Sequence, residues 1–209
     1  EEAGIGALEL LEKLRDTHEM GYPLYSPLLT SITRGARLGK FYLRSAATGV
    51  GKSRTMVADA CAIACNEIWN KEENRWIKNG TKEPTIFIST EQDKSEVQTM
   101  MIAFLSGVNE EHILTGSYEK QEWDRVVYAA EILKNSPLYI QQLPDFSMAD
   151  IEATIKRGIR DHGVKYVFFD YIHSSMKILQ EVTSRAGVKG LREDNVLFMI
   201  SIRLKDLCN

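Results

Sequence analysis

The sequence predicts an α/β protein, a mostly parallel β-sheet flanked by helices and preceded by an N-terminal linker helix. Three observations carry the prediction. Short apolar runs at residues 40–46, 85–89, 138–140 and 165–170 alternate with longer stretches of helical period, and strands separated by helices pair in parallel. The first run, Phe41-Tyr42-Leu43-Arg44-Ser45, passes through a glycine-containing turn into Lys52-Ser53 at the head of a helical pattern. A chain of 209 residues with 44% hydrophobic and 26% charged residues is long enough to bury one α/β core with an N-terminal arm.

Composition narrows the partners. The net charge of −3 supplies no general basic excess, so any nucleic-acid contact must come from a local patch. Cys61, Cys65 and Cys208 are too few and too poorly spaced for a disulfide framework or a zinc site. Cys61 and Cys65 lie four apart on a predicted helix, which points to packing. No apolar run approaches the roughly 18 residues of a membrane span, and the acidic start is unlike a signal peptide. A reduced, cytoplasmic protein is the expectation.

In order along the chain, residues 4–15 place Leu8, Leu10, Leu11 and Leu14 on one helical face opposite Glu9 and Lys13. Such a face packs on its own domain or docks on a neighbouring copy, and periodicity does not choose. Gly21-Tyr22-Pro23 ends this region. A loop-rich segment leads to a strand over 40–46, then a turn, then a helix over about 52–70. The polar residues 70–84 read as a solvated excursion. A buried strand at 85–89 is followed by helices over 93–106, 110–114 and 119–134. A strand at 138–140 precedes a helix capped by Ser147 and running to about 160. A strand at 165–170 ends in Asp170. A mixed loop, rich in Lys, Arg, Ser and Gly, fills 174–190, and a last helix spans about 193–208.

The stretch Ala46-Ala47-Thr48-Gly49-Val50-Gly51-Lys52-Ser53-Arg54 reads as a phosphate loop. A triphosphate must be held by many donors at once, and main-chain N–H groups in a tight turn and at a helix N-terminus supply them. Gly49 and Gly51 provide the turn, Lys52 an ammonium for the β- and γ-phosphates, and Ser53 a hydroxyl for Mg²⁺. The first position, usually Gly, is Ala46. An ordinary strand–turn–helix that happens to contain Gly-Lys-Ser is the alternative. Asp170, at a strand end, can sit beside Ser53 and hold the metal shell. The residue after it is Tyr171 rather than an acid, so the group that activates water must come from elsewhere. Glu91, just past another strand end, is the best candidate, because neighbouring strands finish at the same sheet edge.

With these residues in place, the chain resembles the ATPase domain of the DnaB-family replicative helicases, within the RecA-like group, over nearly its whole length. Gly21-Tyr22-Pro23 through Gly39-Lys40 is similar to the family's leading segment, and Ala46 through Ser53 to its phosphate loop, which commonly has Ala first. Ser89-Thr90-Glu91-Gln92 is similar to its Ser-Leu-Glu-Met, and Asp170-Tyr171-Ile172-His173 to its Asp-Tyr-Leu-Gln.

The resemblance implies a RecA-like P-loop NTPase, with residues 1–20 a linker helix and 21–209 the ATPase domain. The family's sensor Gln and arginine finger would lie beyond Asn209. It implies ATP and Mg²⁺ as cofactors, Lys52 and Ser53 on phosphate and metal, Asp170 on metal, and Glu91 as base. Lys177, Arg185, Lys189 and Arg192 fall where the family grips single-stranded DNA. A homo-hexameric ring, a primase and a helicase loader are the implied partners. Thr48 and Val50 depart from the family's Pro-Ser-Met. His173 stands where Gln is usual and would sense the γ-phosphate or relay to DNA, with a buried structural histidine as the alternative. A RecA- or RadA-like recombination ATPase and a nucleotide-gated assembly module remain rival readings.

Overall fold

The computed structural model describes residues 4–16, 20–80, 82–186 and 192–208. Its elements run α1 (Ala7–Asp16), α2 (Pro27–Thr33), α3 (Lys52–Ala64), β1 (Glu67–Asn70), β2 (Arg75–Lys78), β3 (Thr85–Ser89), α4 (Lys94–Ser106), α5 (Glu110–Thr115) and α6 (Glu122–Lys134). They continue with β4 (Leu138–Gln142), α7 (Met148–His162), β5 (Tyr166–Asp170), α8 (Met176–Ala186) and α9 (Glu193–Asp206). The central sheet has the order β4-β3-β5, all parallel. Parallel strands need crossovers on the sheet faces, and the helices supply them.

Strand β3 is buried along its whole length, and its alternating side chains feed two cores. Phe87 packs with Val57 and Cys61 of α3, Met101 and Leu105 of α4, and Ala129 and Ile132 of α6. Ile86 and Ile88 face the other way, against Ile151 and Ile155 of α7, Ile178 of α8, and Val196, Ile200 and Leu204 of α9. The apolar run without polar alternation is what a strand covered on both faces requires. It also sets the register that brings Ser89 opposite Asp170 at the sheet's carboxyl edge.

Local signals account for several helix ends. Ser147 caps α7 as expected, with its hydroxyl accepting from the Asp150 N–H and the Asp150 carboxylate accepting from the Ser147 N–H. Asp93 and Glu96 form the same reciprocal box at α4. Gly21 is required by close approach, since a Cβ there would lie 2.1 Å from the Ala36 carbonyl oxygen, where Tyr22 and Ala36 form an antiparallel bridge.

Four expectations are corrected. Residues 40–46 are not in a ladder. The Tyr42 hydroxyl donates to the Gly35 carbonyl at 3.1 Å and the Arg44 guanidinium bonds to buried Asp59 at 2.6 Å, so polar side chains tie this segment to neighbours other than β5. The segment and β5 together line a cavity of about 1000 Å³. Helix α3 stops at Ala64 rather than near 70. The end of that expected helix and the start of the solvated excursion together form an antiparallel hairpin, β1–β2, pairing Ile68 with Ile77 and Trp69 with Trp76. Its turn is set by the Asn70 carboxamide oxygen, which accepts from the N–H groups of Glu72 and Glu73. Finally, the segment read as a loop from 174 holds α8, whose Ile178 is fully buried.

Cys61 is buried in α3 and Cys65 at its C-cap, and burial pushes the Cys61 thiol well up, as suits a packing role. The leucines of α1 are another matter: Leu8, Leu10 and Leu11 are all exposed. Among the described residues no helix is long and apolar enough to cross a membrane.

At the opposite edge of the sheet, Glu83 pairs with the Lys165 ammonium at 2.8 Å and accepts from the Tyr22 hydroxyl at 2.6 Å. Lys165 first, then Tyr22, holds its carboxyl below the usual range, while burial pushes Tyr166 nearby up to about 12. A carboxyl whose folded pKa is depressed stabilises the fold above its unfolded pKa of about 4.3, and that contribution is lost as pH falls through the lower folded value. Thermal melts should therefore separate Glu83→Gln from the parent at pH 7, with the gap closing in acid. A gap that persists unchanged at the lowest pH refutes this assignment.

Candidate active site

The carboxyl edge of β3 and β5 faces the turn that starts α3. Gly49 and Gly51 have φ of 82° and 88°, the left-handed region that glycine enters without penalty. A Cβ at either would meet nothing within 4 Å, so conformation rather than crowding by the protein calls for glycine. Ala46, Ala47, Thr48, Gly49 and Val50 are all exposed. Gly51 caps α3 without a side-chain hydrogen bond, and the first turn carries no acid. The opening N–H groups of a 13-residue helix thus have no side-chain acceptor, the condition for an anion site.

Lys52 reaches from that turn towards β5. Its Nζ stands 3.7 Å from Asp170 Oδ1 and 4.1 Å from the centre of the Tyr171 ring. A carboxylate and an aromatic face share the ammonium, and each arrangement is attractive. Asp170 is buried, and its Oδ1 has no hydrogen-bond partner. A buried carboxylate oxygen short of partners suits a divalent cation. No cluster of three or more His, Cys, Asp or Glu is placed to hold a metal among the described residues. Mg²⁺ does not need one, since it keeps several waters and takes one or two protein oxygens besides phosphate. Asp170 and the Ser53 hydroxyl, which has no partner among the described residues, fit that set.

The remaining assigned residues divide. Glu91 lies two positions past Ser89, the partner of Asp170 across the ladder, and is exposed. His173 Nδ1 stands 3.4 Å from both Thr90 Oγ1 and the Tyr171 carbonyl oxygen, with its ring edge-on to Phe146 at 5.1 Å. Arg54 is turned away from the turn and pairs with Glu110 of α5 at 2.7 Å. Lys177 donates to the Asp145 carbonyl at 3.1 Å and lies 3.7 Å from Asp150. Arg192 pairs with Asp194 at 2.9 Å. Lys189 and the Arg185 side chain lie outside the described residues.

Sequence reasoning missed Tyr171 and Thr90, which touch Lys52 and the post-β5 loop. It also missed the Arg44–Asp59 pair, which steadies the approach to the turn and whose second carboxylate oxygen accepts from the Tyr25 N–H at 2.9 Å. A buried acid inside α3 and an arginine inside an apolar run are the signals that pointed to that pair.

A family model for the DnaB-like helicase C terminal domain matches residues 25–209. The chain belongs to the DnaB-like helicase C-terminal domain family. It is 42% identical over 208 residues to the SPbeta prophage-derived uncharacterized protein YorI of Bacillus subtilis (strain 168), covering 100% of this chain and 41% of that one. It is 26% identical over 192 residues to the replicative DNA helicase DnaB of Leifsonia xyli subsp. xyli (strain CTCB07), covering 92% and 37% respectively. The chain thus spans about two fifths of the length of these relatives. Among solved structures, a chain described as an ATPase domain superposes with a TM-score of 0.70 at 18% identity over 100% of this chain and 68% of that one. "The Structure Of A DnaB-Like Replicative Helicase And Its Interactions With Primase" gives 0.70 at 18% identity over 99% and 46%. These likenesses show that the chain shares the fold of those structures, a parallel sheet flanked by helices.

Proposed function

We propose that this chain is the motor domain of an ATP-dependent replicative DNA helicase, working as a homo-hexameric ring that translocates on single-stranded DNA and parts the duplex. The observation that carries the reading is the Lys52–Asp170 pair at 3.7 Å beneath an uncapped helix N-terminus, in a chain of the DnaB-like family.

The residues divide the work. The N–H groups from Gly49 to Ser53 cradle the phosphates, and the open space over Gly49 and Gly51 is where the anion lies. Lys52 leaves Tyr171 and Asp170 for the β- and γ-phosphate oxygens. That frees Asp170, which with Ser53 would hold Mg²⁺; the ion would supply positive charge to offset that of the phosphates. Glu91 orients and deprotonates the attacking water, and His173 reads the state of the γ-phosphate. Ala46, Ala47, Thr48 and Val50 contribute main-chain contacts. Arg54, held by Glu110, contributes its N–H rather than its guanidinium.

Neighbouring copies complete the assembly. The exposed leucines of α1 suit docking on an adjacent copy, and a neighbour's arginine would complete the transition-state charge. Lys177 and Arg192, with Arg185 and Lys189, suit a sequence-independent grip on DNA phosphates. Lys177 and Arg192 would exchange their present carboxylate partners for phosphate. A primase and a loader are proposed partners, the first because a structural neighbour was solved with one.

Forked DNA tests the reading in the intact protein. Strand separation that requires ATP and runs 5′ to 3′ supports it. Joint-molecule formation without unwinding would turn the assignment to a recombination ATPase, and nucleotide binding with neither activity to an assembly module.

A further inference from the structure

The β3–β5 ladder does not stop where the strands do. Its last register pair is Ser89 with Asp170, yet the Thr90 N–H still donates to the Asp170 carbonyl at 2.9 Å. One step further on, the Tyr171 N–H has a side-chain oxygen as its acceptor, donating to Thr90 Oγ1 at 3.1 Å. The same hydroxyl is 3.2 Å from the Asp170 carbonyl oxygen and 3.1 Å from that of Tyr171. It carries one proton and two lone pairs, so it donates to one of these carbonyls at a time while accepting from Tyr171 N–H. His173 Nδ1, at 3.4 Å from the hydroxyl, adds a third group around it. Thr90 is buried, where a hydrogen bond does not compete with water and an unmet N–H is costly.

We propose that Thr90 is a positioning residue whose hydroxyl takes the place of a ladder acceptor beyond the strand ends, setting the β3 tip, and with it Glu91, against the Asp170-Tyr171 turn. Glu91 follows Thr90 directly, and Asp170 directly precedes Tyr171. Nothing else described holds the Glu91 side chain, so its relation to Asp170 depends on how firmly the two main chains are joined. The hydroxyl joins them through the residue next to each acid. Thr90 also reaches the turn that carries Tyr171, whose ring lies against Lys52, so one side chain steadies the parts meant for metal, water and γ-phosphate. The proposal rests on the reading of Glu91 and Asp170 as catalytic groups.

Thr90→Val keeps the shape of the side chain and removes the hydroxyl. In the intact protein kcat should fall about 10²-fold, the cost of a reacting group displaced by about an ångström, with the KM for ATP within about threefold. Thr90→Ser should restore most of the loss. Amide exchange in the nucleotide-free protein should quicken at Tyr171 in the valine variant and return towards the parent rate in the serine variant. A merely structural threonine would lower thermal stability without separating kcat from KM.

The proposal is overturned if Thr90→Val turns over ATP within twofold of the parent, if KM rises as much as kcat falls, or if the serine and valine variants lose equally. An inactive parent would instead count against the functional reading. An active parent with an unaffected valine variant would count against the role of Thr90 alone.

Discussion

Glu91→Gln in the intact protein should bind ATP as the parent does and lose turnover by about 10²- to 10⁴-fold, the range a positioned base contributes. The change is nearly isosteric and leaves the phosphate cradle untouched, so affinity has no cause to move by more than about threefold. What is lost is an oxygen able to take a proton. Glu91 is exposed, two residues past the ladder pair of Ser89 with Asp170, so its side chain is free to turn towards a nucleotide seated over Lys52. Lys52→Ala, by contrast, should weaken binding itself, because the ammonium acts on the ground-state phosphates as well as on the transition state. Equilibrium nucleotide titration beside steady-state hydrolysis separates the two variants. Normal turnover by Glu91→Gln would remove Glu91 from the mechanism and send the search for a base elsewhere along the same sheet edge.

Phe87→Ala should destabilise the domain by about 3–5 kcal/mol, a large share of the roughly 5–15 kcal/mol that holds a typical domain folded. Phe87 is fully buried on the central strand and lies parallel to Phe168 of β5 with ring centres 6.4 Å apart. Its neighbours come from three helices, α3, α4 and α6. A cavity there is flanked by elements that cannot all move in without disturbing the ladder to β4 or β5, which is why collapse should recover little of the loss. Denaturant unfolding of parent and variant measures it, and a loss below about 1.5 kcal/mol would show a core able to relax. Because β3 also carries Glu91 past its end, the variant should lose hydrolysis as its folded fraction falls.

How much of this could be read from residues alone follows the range of the forces involved. The strands read at 85–89, 138–140 and 165–170 were legible because each is a short apolar run set off by polar or turn residues, most plainly in β3, which is buried along its whole length. The α7 start was legible because a cap is a contact between residues three apart. The hairpin was not: its first strand reads as the end of the preceding helix, and Lys71, Glu72 and Glu73 as the start of a solvated tract, until Trp69 finds Trp76 across the turn. Helix α8 was hidden by its Lys, Ser and Arg, and the buried Ile178 that anchors it finds its partners on α7 and α9. Residues 40–46 had a strand's composition, but Arg44 and Tyr42 found partners in Asp59 and Gly35, and a polar side chain held elsewhere outweighs weak local propensity.

The site divides along the same line. Order along the chain was enough to place a glycine turn at Gly49–Ser53 before a helix and an acid at the end of an apolar strand, since turn glycines and strand-end residues obey local rules; the phosphate role of that turn is our proposal. Only the folded molecule decided that Lys52 rests between Asp170 and Tyr171 and that the Thr90 hydroxyl receives the Tyr171 N–H. Those contacts join residues some 80 to 120 positions apart, and the alignment of β3 beside β5 that creates them is chosen by the packing of two whole cores.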